Sequence, residues 1–95
     1  MPQNTDVSIP ARTWTSITVN DVTAIRAVNL GTSPILLMAT VGATPPVSTA
    51  GAIPLMPKEV LAADLTLAQL WPGTAGANRV YAYADAAVAV SVSHA

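Results

Sequence analysis

The chain has 95 residues, of which 52% are hydrophobic and only 9% are charged, and it has a formal net charge of −1 and no cysteine. This length predicts one domain with its own core, and the missing thiols exclude disulfides, zinc–thiolate sites and cysteine nucleophiles. The near-neutral charge disfavours nucleic-acid binding, and no apolar run reaches the roughly 18 residues that span a membrane. An average domain has roughly 25% charged residues, far more than this chain, so we expect other protein to cover part of its surface.

The first twelve residues are polar and contain Pro2 and Pro10, which predicts an extended N-terminal arm, 1–12, outside a domain formed by residues 13–95. No basic stretch followed by an apolar run occurs there, so we expect no secretory signal. From Thr13 onward polar and apolar residues alternate, which predicts a first strand that ends near Asn20.

Residues 23–42 are predicted to form a hairpin around which the rest of the chain is organised. Two apolar runs are joined by the turn-forming sequence NLGTSP at 29–34. The second run, ILLMA at 35–39, is apolar at every position, which predicts a central strand covered on both faces. The residues expected to be mainly buried are Ile25, Val28, Leu36, Met38, Val80, Val88 and Val90.

The middle of the chain is rich in proline and less regular. Residues 42–51 are predicted to be a surface loop, and the prolines at 54 and 57 restrict any nearby strand, best placed at Val60 and Leu61, to a sheet edge. Residues 62–70 fit both helical spacing and strand alternation, so a short helix and a strand both remain open. If a helical turn forms, Asp64 is a candidate cap.

The end of the chain is predicted to form a second hairpin, with strands at 78–84 and 87–93 that turn at Asp85 and Ala86. Valine and small residues alternate in its second strand, so one side is apolar and the other is almost flat. A flat side lets another chain approach closely. Ala87, Ala89 and Ser91 are therefore the predicted oligomer interface.

The sequence predicts no catalytic, metal or cofactor site. His94 is the only histidine and stands one residue from the end of the sequence, a poor place for a base that would serve Ser91 or Ser93 with Asp85. The scattered carboxylates form neither an acid pair nor a metal-binding loop. Four aromatic residues are open to two interpretations, either core or interface packing or a platform that stacks on sugar rings. They are Trp14, Trp71, Tyr81 and Tyr83.

These patterns predict an all-β fold, a single antiparallel β-sandwich or jelly-roll-like domain with about six to eight short strands. The sequences AVNLGTSPILL at 27–37, PLMP at 54–57 and VYAYA at 80–84 resemble the small β-sandwich virion proteins of tailed bacteriophages. These proteins are capsid decoration (cement) proteins or small head, neck and tail components, and the likeness spans residues 17–95.

The resemblance implies a non-enzymatic virion protein that binds the major capsid protein or other virion proteins on the outer head surface. It also implies a homo-oligomer, with a trimer favoured because such cement proteins commonly sit at three-fold positions. No catalytic residues come with this family, and neither nucleic acid nor a membrane is an expected partner. The alternative is a carbohydrate- or receptor-binding module of a fibre or tail, which would use the four aromatic residues.

Overall fold

The computed structural model describes residues 3–18, 22, 25–42, 45–46, 52–61, 66–74 and 76–94, with residues 3–5, 68 and 94 described by their backbone alone. This part of the chain contains eight strands and one helical turn. They are β1 (Gln3–Ile9), β2 (Thr15–Ser16), β3 (Ile25–Asn29), β4 (Ile35–Thr40), β5 (Ile53–Leu55), β6 (Val60–Leu61), α1 (Leu67–Leu70), β7 (Arg79–Ala84) and β8 (Val88–His94). No helix in the described ranges is long and apolar enough to cross a membrane.

The strands form two antiparallel sheets of four strands each. Sheet A has the order β1-β8-β3-β6, and sheet B has the order β2-β7-β4-β5. The first strand pairs with the last, the second with the seventh, the third with the sixth, and the fourth with the fifth. The pairing of β3 with β8 and of β4 with β7 completes the two sheets. The all-β prediction is confirmed, and the arrangement is sandwich-like.

The core is built from alternate residues of the strands. In β4 the side chains of Ile35 and Leu37 are fully buried, whereas those of Leu36 and Met38 are half-buried. Each fully buried aliphatic side chain stabilises the fold by about 1.5–3 kcal/mol, so this alternation decides which face of a strand turns inward. The core residues are Ile9, Ile17, Val22, Ile25, Ala27, Ile35, Leu37, Ala39, Leu55, Leu67, Trp71, Val80, Ala82, Ala84, Val90 and Val92.

Of the residues predicted to be mainly buried, Ile25, Val80 and Val90 lie in the core, and the other four are only half-buried, although Val88 still packs against the core. These four are Val28, Leu36, Met38 and Val88. In β3 and β4 the alternate side chains already fill the inner face, so Val28, Leu36 and Met38 are left on the outer faces of the sheets. The apolar run of β4 is therefore not covered on both faces within one chain.

Neither predicted hairpin forms. β3 lies in sheet A and β4 in sheet B, and β8 and β7 are divided between the sheets in the same way. Alternation determines which face of a strand is apolar but not which strand lies beside it. The segment 30–34 instead crosses between sheets, and at this crossing a Cβ atom on Gly31 would lie 2.7 Å from Cγ1 of Val88. A residue without a side chain is needed there.

The predicted N-terminal arm is part of the domain. All seven residues of β1 pair with β8, from Gln3 opposite His94 to Ile9 opposite Val88, and Ile9 is 1% exposed. A turn stands at the predicted boundary, where Arg12 has a φ of 58° and its backbone N–H donates to the carbonyl oxygen of Ala84. The polar character of this segment is explained by its place at an edge of sheet A.

In the middle of the chain, the structure agrees more closely with the elements predicted from the sequence. Thr66 begins α1 with a capping box: its Oγ1 accepts a hydrogen bond from the backbone N–H of Gln69, and the side chain of Gln69 accepts one from the backbone N–H of Thr66. The predicted strand at Val60 and Leu61 is confirmed as β6, and Pro54 lies in β5, an edge strand of sheet B.

The proposed cap, Asp64, lies outside the described residues, as does most of the predicted loop 42–51. Within the described part of the predicted first strand, residues 13–18, only Thr15 and Ser16 are in a strand, β2.

Candidate functional surfaces

The outer face of sheet A is formed by small and apolar side chains. Ser91 lies opposite Asp6 of β1 and Val28 of β3, and Val28 lies opposite Val60 of β6. Residues that are directly opposite share a face, so these four form one row across the sheet. Ala89 belongs to the same face, two residues before Ser91. We call Val28, Val60, Ala89, Ser91 and Ser93 the small-residue face.

Two of the predicted interface residues lie on this face. Ala89 and Ser91 are half-buried in the middle of sheet A, whereas Ala87 is exposed and precedes β8. Val60 is 52% exposed, which is unusual for a valine in a strand and leaves the edge of the face apolar. A neighbouring chain could lie close to this surface because no long side chain stands at its centre.

Two exposed charges of opposite sign flank the small-residue face. Asp6 is on β1 and Arg26 is on β3, so the two residues lie on either side of β8. Arg26 is opposite Ser93, and Asp6 is opposite Ser91. The arrangement is an uncharged strip with charged margins, which resembles the core and rim of a protein interface.

The four predicted aromatic residues do not form one platform. Trp71 and Tyr81 are each 5% exposed, and Trp71 is a core residue that follows α1. Trp14 and Tyr83 are half-buried, with ring centroids 5.3 Å apart and ring planes tilted by 45°. The sugar-stacking interpretation is thus reduced to this pair.

Apolar residues surround this pair on the outer face of sheet B. Tyr83 lies opposite Leu36, and Leu36 lies opposite Pro54 of β5. Tyr81 shares the face, opposite Met38. These residues alternate with the core residues of β4 and β7 and so point away from the core, although Tyr81 is itself 5% exposed.

A pocket of about 300 Å³ lies at one end of this face. It is found where β4 begins and β7 ends, beside the pairing of Ile35 with Ala84. Its lining residues are an aromatic residue, apolar residues, a serine and an exposed aspartate. The lining residues are Ser33, Pro34, Leu36, Tyr83, Ala84 and Asp85.

The residues considered for a catalytic triad do not come together. Asp85 precedes β8 and His94 is its last residue, so the length of the strand, about 20 Å, separates their backbones. Ser91 and Ser93 lie on sheet A, whereas Asp85 lines the pocket of sheet B. Within the described ranges, no group of three or more His, Asp or Glu side chains could hold a metal ion.

Sequence reasoning missed the proximity of Ser33 and Asp85. Ser33 was interpreted as a turn residue of the first predicted hairpin, and Asp85 as a turn residue of the second and as a triad partner that the sequence disfavoured. The sequence did indicate that both residues lie at strand ends. Only the antiparallel pairing of β4 with β7 shows that these two strand ends lie side by side.

Sequence reasoning also placed Asn29 in a turn, whereas its side chain is fully buried.

Comparisons with protein-family models, with curated proteins and with solved structures found no match for this chain. The small-residue face and the sheet B pocket are therefore the two features from which a function can be argued.

Proposed function

We propose that this chain is a non-enzymatic structural protein of a bacteriophage virion. In this proposal it is a decoration (cement) protein that binds the outer surface of the capsid as a homo-oligomer. The main supporting observation is the order of strand pairing, first with last and then inward to fourth with fifth. An eight-stranded jelly roll has this order, and viral capsid proteins and lectins use that architecture. The jelly roll is thus the finer description of the fold that we propose.

The composition of the surface supports assembly. Only four basic and five acidic residues are available to solvate a 95-residue chain. The small-residue face has Ala89, Ser91 and Val28 at its centre, and each of them is half-buried in the isolated chain. Covering this face would remove apolar area from water at the cost of few ordered long side chains.

The charges at the margins suggest how the subunits would be arranged. Asp6 on β1 and Arg26 on β3 lie on either side of β8 and have opposite charges. A subunit packing that brings Asp6 of one subunit near Arg26 of the next is therefore favoured over other registers. We favour a trimer, because the resembling cement proteins commonly occupy three-fold positions on the head.

Attachment through a free N-terminal arm is not part of this proposal. Residues 3–9 are paired along their whole length with β8 and supply Ile9 to the core. The capsid contact must therefore come from exposed loops or from the faces of the two sheets.

The test is cosedimentation of the purified chain with empty heads of the phage that encodes it, followed by cryo-electron microscopy of the decorated heads. We expect saturable binding and density for an oligomer on the outer surface. A chain that stays in the supernatant at every concentration, or density inside the head or on the tail alone, would refute the decoration role.

A further inference from the structure

The sheet B pocket combines features that fit a sugar ring. It is lined by Tyr83 and Leu36 together with Asp85 and Ser33, and its volume is about 300 Å³. We infer that this pocket binds a neutral pyranose sugar, with Tyr83 against the C–H face of the ring and Asp85 as acceptor for its hydroxyl groups. The site is separate from the proposed assembly face, which lies on sheet A.

The aromatic wall is held in place before any ligand binds. Tyr83 is on β7, which lies between β2 and β4 in sheet B, and its cross-strand partner is Leu36. The ring of Trp14 packs at 5.3 Å on the ring of Tyr83. A preformed wall lowers the entropic cost of binding, because few side chains have to be ordered by the ligand.

The polar groups match the hydroxyl groups of a sugar. A carboxylate has two oxygen atoms that only accept hydrogen bonds, so Asp85 can accept from two adjacent hydroxyl groups. Ser33 can both donate and accept. Pro34 and Leu36 offer apolar contact for the ring carbons, which gives the mostly apolar lining and few polar groups of a typical ligand pocket.

Other ligand classes fit this lining less well. Among the lining residues that the structure describes, Asp85 alone is charged, and its negative charge repels phosphates and nucleic-acid backbones. A proline-rich peptide would also pack on aromatic rings, but its carbonyl groups cannot hydrogen-bond to the carboxylate of Asp85, which only accepts. Glycosidases use two carboxyl groups, whereas the described residues of the lining supply one, so the inference is binding without cleavage.

The test is a nuclear magnetic resonance titration of the ¹⁵N-labelled full chain with methyl α-glucoside, methyl α-mannoside and methyl β-galactoside to millimolar concentrations. We expect at least one glycoside to shift the amide signals of residues 33, 35, 36 and 83–85 together with the indole signal of Trp14. The indole signal of Trp71, which is in the core, should stay in place.

Two variants test the roles of the residues. Asp85→Asn keeps the shape of the side chain but replaces charge-assisted hydrogen bonds with neutral ones, so we expect about tenfold weaker binding. Asp6→Asn, which changes an exposed aspartate on sheet A, is the matched control and should bind as the wild type does. Tyr83→Leu, which keeps an apolar side chain opposite Leu36 but removes the ring, should abolish the shifts.

Four results would overturn the inference. They are an absence of shifts with all three glycosides, shifts that map to other residues, equal affinity of the wild type and Asp85→Asn, and tighter binding of a polyproline peptide than of any glycoside at the same residues. None of these results bears on assembly, because oligomerisation is measured separately and the proposed interface lies on sheet A.

Discussion

The side-chain amide of Asn29 donates a hydrogen bond of 3.0 Å to the backbone carbonyl oxygen of Leu55 and so joins β3 of sheet A to β5 of sheet B. The same amide donates to the carbonyl oxygen of Ser33 at 2.8 Å, and its Oδ1 atom accepts from the N–H of Gly31 at 2.9 Å. Asn29 therefore organises the crossing between the sheets and positions the backbone of Ser33, a pocket residue.

Replacing Asn29 should be costly. Asn29→Asp removes both amide hydrogen bonds and places a carboxylate against two carbonyl oxygens in a fully buried site. We expect the free energy of unfolding in urea to fall by about 3–5 kcal/mol. The control is Asn78→Asp: the Oδ1 of Asn78 accepts from the N–H of Gly42 at 2.7 Å, and a carboxylate can keep that bond. Equal losses in the two variants would contradict the assigned roles.

The close packing of Gly31 against Val88 leads to a second prediction. A methyl group there would stand 2.7 Å from Cγ1 and 3.0 Å from Cβ of Val88. Gly31→Ala should therefore lower the free energy of unfolding by about 1–3 kcal/mol, and adding Val88→Ala should recover part of that loss. At Gly73 an added Cβ meets nothing within 4 Å, so Gly73→Ala should be neutral or slightly stabilising. If Gly31→Ala left the free energy of unfolding unchanged, the chain would not be tightly packed at this crossing.

The pairing of β1 predicts that the N-terminal segment matters for stability. Ile9 is fully buried, so Ile9→Ala should cost about 2–5 kcal/mol, and a domain of this size loses about 4–8 °C in Tm for each kcal/mol. Ser8→Ala, at the exposed neighbouring position, should change the Tm very little. Calorimetry of both variants distinguishes an edge strand from a free arm, for which Ile9→Ala would leave the Tm unchanged.

The assembly proposal predicts the behaviour of Ala89. Ala89→Arg would place a long charged side chain at the centre of the small-residue face, at a cost of several kcal/mol if it stayed buried and unpaired. Light scattering after size-exclusion chromatography should show oligomers for the wild type and monomers for this variant, which should also bind heads poorly. Ala11→Arg adds the same charge in an exposed turn and should remain oligomeric. A monomeric wild type that still saturates heads would rule out assembly through this face.

Local patterns were sufficient for the fold class and for several elements. The alternation of valines with small residues in β8 predicted which side of the strand is flat, because successive side chains point to opposite faces. Pro54 predicted an edge strand, since proline cannot donate a hydrogen bond to a second neighbour. These features depend only on the geometry of a few consecutive residues.

Only the tertiary structure decided which strands are neighbours, and with them the surfaces. β1 pairs with β8 and β4 pairs with β7, although turn residues suggested hairpins between consecutive strands. A period of two residues specifies a face but leaves the partner strand open, and the partner is selected by how two apolar faces cover each other. For that reason the sequence alone predicted which residues lie on each face of β8. It could not predict that Ser33, Tyr83 and Asp85 line one pocket, because that depends on how the chain crosses between the sheets.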